Sequence, residues 1–308
     1  MAENMSKSTA ANTIQAVNKP TLQQALKQYK RSPFSLFLRV LVTLAAIITV
    51  AVLLFLVAYI VIMGVPNLKP ALFELKYTSE NASLLPALIN TVIMTLMSLI
   101  VAVPVGIFSA IYLVEYARRG NKLVGVVRIT AETLSGIPSI VYGLVGLMVL
   151  VPFIREAFNT AAGESLLAAI VVLAVMILPS IISVSETALN AVPKEYEEAS
   201  LALGATDIET YFRVSAPAAK SGIAAAVVLG VGRAIGEAMA IMMVAGNVAN
   251  MPDLLSSVRF LTTGIAVELA YSSGLQRQAL FSIGLVLFLF IMCINVILNV
   301  FLKRNKEG

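Results

Sequence analysis

The chain has 308 residues, of which 59% are hydrophobic and only 13% are charged, far below the charged share of a soluble domain, so it is a polytopic membrane protein. It contains no histidine and a single cysteine, Cys293 in an apolar run. That excludes histidine acid–base chemistry, histidine-ligated metals and intrachain disulfides. The net charge of +5 is spread over segments between apolar runs, with no basic–aromatic face of the kind that grips nucleic acid.

Residues 1–35 form a polar tail rich in Ser, Thr, Asn, Gln and Lys, expected to be cytoplasmic. The tail lacks the short apolar core and cleavage site of a removed signal peptide, so the first apolar run at 36–63 acts as an uncleaved anchor. The fold class expected is an all-α polytopic protein with six transmembrane helices, at about 36–63, 86–114, 129–154, 166–189, 217–247 and 278–302. The Lys/Arg bias orients them. Sixteen cationic residues lie in the tail and the start of span one, in 115–128, in 190–216 and its exit, and at the C-terminus. Five lie in 64–85, 155–165 and 248–277. Both termini and the 190–216 loop are therefore expected on the cytoplasmic side. Pro104 with Gly106 in span two, Gly136-Ile137-Pro138 in span three and Pro179 in span four are candidate breaks. Such breaks are tolerable where neighbours or a cavity satisfy the freed backbone groups. Packing kinks and gating hinges account for them equally well.

The 190–216 loop carries the strongest local signals. Pro193 suits a helix start, and Glu195, Glu197 and Glu198 fall in the first turns, where the positive helix end favours them. Ala199, Leu201, Ala202 and Leu203 supply helix formers and an apolar face, and Gly204 is placed to end the helix in a left-handed conformation. Thr206 and Glu209 form a capping box for a second short helix carrying Ile208, Tyr211, Phe212 and Val214, which Pro217 ends. Exposed apolar side chains on such a two-helix elbow suit docking into a soluble partner. The alternative is a helix lying on lipid, which an acidic first turn opposes at an anionic leaflet.

This loop resembles the signature loop of type I ABC importer permeases: Glu-Ala-Ala, three residues, Gly, nine residues, Ile-x-Leu-Pro. Here Glu198-Ala199-Ser200 stand at the first position, Gly204 at the second, and Val214-Ser215-Ala216-Pro217 at the third, with Ser200, Val214 and Ala216 departing from the usual residues. The resemblance implies that 86–302 is the permease domain. It also implies that Glu198, Ala199, Ser200, Gly204, Val214 and Pro217 couple it to an ATPase subunit dimer.

Span five carries Gly232-Arg233-Ala-Ile-Gly236-Glu237. Arg233 lies about 24 Å beyond Pro217 at the helical rise, where a charge costs roughly 2.5–3.5 kcal/mol on insertion scales and so must face the bundle interior or water. Glu237, four residues on, is expected to pair with it on the same face. The Gly232-x-x-x-Gly236 step is expected to allow close helix contact. A guanidinium here suits an anion path; an Arg–Glu pair holding two helices together is the alternative. Gly136-Ile-Pro138-Ser139-Ile-Val-Tyr142-Gly143 and Gly232-Arg233-x-x-Gly236-Glu237 look like the third- and fifth-span motifs of phosphate importer permeases. The continuation to Asn247 is similar to their PstC-type rather than PstA-type subunit. By resemblance, Arg233, Glu237, Ser139 and Tyr142 line the substrate path, although Ser139 and Tyr142 also suit helix packing. The implied partners are the ATPase dimer, a second homologous permease subunit and an extracytoplasmic phosphate-binding protein, in a bacterial inner membrane. The chain has no nucleotide-binding loop, so no cofactor is expected in it, and ATP with Mg belongs to the ATPase. The rival functions are a permease for sulfate or molybdate and an ATP-independent anion carrier, which would need more midplane carboxylates than Glu237.

Overall fold

The computed structural model describes residues 33–78, 81–117 and 122–304. The polar tail up to residue 32, and Arg118 and Arg119 of the 115–128 loop, lie outside them. The chain divides into two units, Met1–Tyr59 and Ile60–Gly308. The described residues are helical, with one isolated backbone bridge between Gly246 and Val258.

α1 (Pro33–Gly64) is a long apolar helix, and two short 3-10 turns follow it. α2 (Leu85–Ala117) and α6 (Leu166–Asn190) are uninterrupted, although they contain Pro104 and Pro179. These two expected breaks therefore do not break the helices. Each proline removes one ladder bond, and close packing keeps the rest together. At Gly106, for instance, an added Cβ would meet Ile181 Cγ2 at 2.7 Å.

Span three is broken where expected. α3 (Lys122–Gly136) ends at the Gly136-Ile137-Pro138 step, and α4 (Ser139–Val145) restarts from Pro138 and continues through a π-turn into α5 (Val151–Ala157). The helix must stop here because the residue before a proline is pushed out of the α region. The apolar length that can cross a membrane is Ser139–Ala157, so the crossing begins ten residues later than expected.

The elbow comprises α7 (Lys194–Ala202), α8 (Asp207–Thr210), a π-turn at Tyr211–Ser215 and the turn α9 (Ala216–Ala218). A bend of 70° separates it from α10 (Lys220–Gly236). α10 stops at Glu237, and α11 (Met239–Val244) follows. Span five is thus two helices, and no proline marks the second break. α12 (Leu261–Glu268) and α13 (Gly274–Arg304) complete the chain.

The core is built on α6, whose Leu173, Met176, Ile177 and Ile181 are fully buried and pack with residues of α2, α10 and α11. The segment 245–260, of which 248–260 falls in the expected loop and 245–247 in expected span five, covers the start of α6. The Leu166 and Leu167 N–H groups, unpaired in a bare helix start, donate to the Ser256 and Leu254 carbonyls at 3.2 and 2.9 Å. Asn90 of α2 donates to the carbonyls of Asn250 and Arg259. Arg259 in turn is ion-paired to Glu268 and lies 5.2 Å from the Tyr77 ring centroid.

Gly143 fixes the approach of α4 to α11, since a Cβ there would meet the Ala240 Cα and carbonyl oxygen at 2.8 Å. Gly143→Leu is expected to lower stability by about 1–3 kcal/mol through overpacking against backbone, read as a lower thermal midpoint of the detergent-purified protein. Gly125→Ala, where no atom lies within 4 Å of the added carbon, is expected to leave the midpoint unchanged or raise it. Equal melting of both variants would contradict this packing.

Candidate functional site

Arg233 lies one turn before the end of α10, about 20 Å along its axis from Lys220. Hydrocarbon cannot solvate its charge, so its partners inside the bundle matter. Nη1 donates to Ser180 Oγ at 2.6 Å. Ser180 is a half-buried residue of α6, one position after Pro179. Among the described residues no carboxylate lies within ion-pair distance of Arg233.

The expected Arg233–Glu237 pair is not formed. The four-residue spacing requires a continuous helix, and Glu237 is extended, with φ −74° and ψ 127°. Its Oε1 instead accepts from the Ala240 N–H at 3.0 Å, and its carbonyl accepts from Thr262 Oγ1 at 2.8 Å. Glu237 thereby caps the first turn of α11. The expected close contact at Gly232 and Gly236 is also absent among the described residues, because no atom beyond the helix's own backbone lies within 4 Å of a Cβ built at either position. The two glycines leave open space along α10 on both sides of Arg233.

Tyr142 donates its phenolic hydrogen to the Leu134 carbonyl at 2.7 Å. That bond spans the α3–α4 break and adds a second donor to a carbonyl that already accepts from the Ile137 N–H at 3.2 Å. Ser139 is half-buried at the start of α4. The structure therefore ties Tyr142 across the α3–α4 break, sets Arg233 on α6 and turns Glu237 to a capping role. It adds Ser180, which no sequence signal marked.

The elbow is internally braced. Gly204 ends α7 at φ +86°, a conformation that favours glycine. The capping box is complete: Thr206 Oγ1 accepts from the Glu209 N–H at 3.3 Å, and the Thr206 N–H donates to Glu209 Oε2 at 3.1 Å. Ser200 and Thr210 hydroxyls bond at 2.9 Å, and Ser215 Oγ donates to the buried Glu197 carboxylate at 3.0 Å, tying α7 to the π-turn. Tyr211, expected on the exposed face, is 5% exposed and packs with Ile111 and Val114 of α2 and Leu189 of α6. It anchors the elbow. Leu203 is 90% exposed, and Ile208, Tyr196, Phe212 and Leu201 are also exposed. Of the expected coupling residues, Glu198, Ala199, Gly204 and Pro217 are exposed, and Ser200 and Val214 are half-buried.

Residues 102–307 match the family described as binding-protein-dependent transport system inner membrane component. The chain belongs to this permease family. It is 42% identical over 218 residues to the probable ABC transporter permease protein YqgH of Bacillus subtilis, covering 68% of this chain and 70% of that protein. It is 34% identical over 244 residues to the phosphate transport system permease protein PstC of Pasteurella multocida, covering 72% and 75%. The PstC of Haemophilus influenzae is 33% identical over 240 residues, covering 71% and 76%. This permease is therefore a PstC-like type I ABC importer permease. Its fold is that of solved importers. An inward-facing MetNI methionine ABC transporter chain matches with TM-score 0.53 at 23% identity, covering 72% of this chain and 93% of that one. A chain of a bacterial ABC transporter involved in import of the acidic polysaccharide alginate matches with TM-score 0.64 at 15% identity, covering 91% and 99%.

The capping box gives the elbow of this permease a pH limit. The Thr206 N–H, then the Thr206 hydroxyl, hold the Glu209 carboxyl below its ordinary value of 4.5. A lowered folded-state value means that the cap stabilises fully above the ordinary value and is lost as pH falls through the folded value. Hydrogen exchange at the Thr206 amide is expected to show protection that falls away below pH 4.5 in the wild type, beyond the intrinsic pH dependence of exchange. Glu209→Gln is expected to remove that pH dependence, and identical profiles would contradict the cap.

Proposed function

We propose that this permease is one subunit of an ATP-driven importer of inorganic phosphate, forming the translocation path and coupling it to a separate ATPase. The observation that carries the substrate assignment is Arg233, a permanent cation in a membrane-spanning helix held by a hydroxyl rather than a carboxylate. An unneutralised guanidinium offers paired N–H donors to an oxyanion, which phosphate fits with two oxygens at once. Tyr142 would add a hydroxyl once its bond to Leu134 opens, and Ser139 is one turn from it on α4. Two relatives named as phosphate transport permeases support the same substrate.

The partners follow from the elbow. Exposed Leu203, Ile208 and Phe212 on a braced two-helix unit are suited to a groove on an ATPase subunit, where ATP and Mg would be held. In this reading the elbow and both termini are cytoplasmic, as the Lys/Arg bias requires. The membrane is the bacterial inner membrane. A second homologous permease completes the path, and the cover formed by 245–260 with its neighbours receives a phosphate-binding protein. Closure of the ATPase dimer then shifts the spans between outward- and inward-open states by differential binding.

Arg233→Ala is expected to abolish phosphate uptake while the complex still co-purifies; wild-type uptake would remove the path role. Gly204→Glu puts a charged side chain at a positive φ on the docking face. It is expected to prevent co-purification of the ATPase. Retained ATPase whose activity is still stimulated by loaded binding protein would contradict the coupling assignment.

A further inference from the structure

α3 is held to the bundle along a narrow stripe. Val124 is 2% exposed, and Arg128, Ala131 and Leu134 are half-buried at helical spacing, while Val126, Val127 and Ile129 on the other faces are exposed. Neither Gly125 nor Gly136 has an atom within 4 Å of an added Cβ. Few interlocking side chains therefore fix this helix. At the middle of the stripe, Arg128 Nε donates to Glu186 Oε1 at 3.0 Å, and its Nη2 bonds the same oxygen. Glu186 is 14% exposed in its side chain. It belongs to α6, one turn before the helix ends at Asn190 and the chain enters the elbow. Glu132, one turn beyond Arg128, is exposed and makes no ion pair with it.

We infer that Arg128–Glu186 is a strut that makes α3 follow the elbow when the ATPase moves it. The inference rests on the coupling role proposed for the elbow. The connection is continuous. The elbow is covalently joined to the end of α6, and Tyr211 packs against Leu189 there. Arg128 donates two N–H groups to the one Glu186 Oε1, a charge-assisted contact that holds the two helices at a fixed distance. α3 then runs as one rigid rod to Gly136, and its Leu134 carbonyl holds the Tyr142 hydroxyl across the break. Displacement of the elbow is thereby delivered to the break at Gly136–Pro138 and to Tyr142, which the proposed function places on the substrate path. A fixed two-helix contact of this kind is the physical element that a transmission route needs, as opposed to mere proximity. Arg128 and Glu186 are positioning residues, since neither touches the proposed substrate site.

The test uses the complete transporter, reconstituted with the ATPase, the second permease and the binding protein. Arg128→Glu, Glu186→Arg and the exchanged double variant are compared for phosphate moved per ATP hydrolysed. Each single variant is expected to assemble and hydrolyse ATP but to move about tenfold less phosphate per ATP, and the exchange to restore most of the loss. Wild-type ratios in the single variants, or an exchange as uncoupled as either single, overturn the strut. Loss of assembly in the singles also overturns it, by making the pair a contact that merely holds the fold. If the wild-type complex shows no ATP-driven uptake, the coupling role falls and the strut with it. If the wild type is coupled and Arg128→Glu is equally so, only the strut falls.

Discussion

A guanidinium has no place in hydrocarbon, and the arrangement around Arg233 answers that constraint. Its helix must turn the charge toward other helices, and a neighbour must offer an acceptor. α6 supplies both conditions. It packs against α2, α3, α10 and α11, and it presents Ser180 Oγ at 2.6 Å from Arg233 Nη1. A carboxylate in place of that serine would neutralise the cation and leave little for an anionic substrate. A hydroxyl satisfies a donor while leaving the charge in place. In the proposed function, that choice of partner is what separates a transport site from a structural ion pair.

The helices that carry the site are interrupted beside it. Span three stops at Gly136-Ile137-Pro138 and span five at Glu237. Side chains help to close both: Tyr142 joins the Ile137 N–H on the Leu134 carbonyl, and Glu237 accepts from the Ala240 N–H while its own carbonyl accepts from Thr262. Breaks held by so few hydrogen bonds are the places where half-helices would pivot without unfolding. In the proposed function such pivots let a site deep in the bundle open to one side and then the other.

What was legible in the sequence obeys local rules. The elbow could be written out residue by residue because Gly204, Thr206 and Glu209 act on neighbours within a turn, and its family pattern follows from the same spacing. Gly136-Ile137-Pro138 was legible for the same reason. The Ser180–Arg233 bond joins residues 53 positions apart, and no pattern in either apolar run marks it. The end of α10 was hidden because Glu237 is flanked by residues that suit a helix, so an expected ion pair at four-residue spacing dissolved with the helix itself. Pro104 and Pro179 misled in the opposite direction, since tight packing against residues such as Ile181 keeps both helices whole. Tyr211 resembled its exposed neighbours Ile208 and Phe212 in type; only the 70° bend after the elbow sets it against α2.

Membership of the permease family and likeness to PstC leave the transported substrate as the central question. The most direct measurement is uptake of labelled phosphate into proteoliposomes holding the reconstituted complex, with ATP supplied on the elbow side. The account predicts uptake that requires both ATP and loaded binding protein and that excess sulfate does not compete away. Phosphate entry without the ATPase, or ATP-driven uptake of sulfate with phosphate excluded, would contradict it.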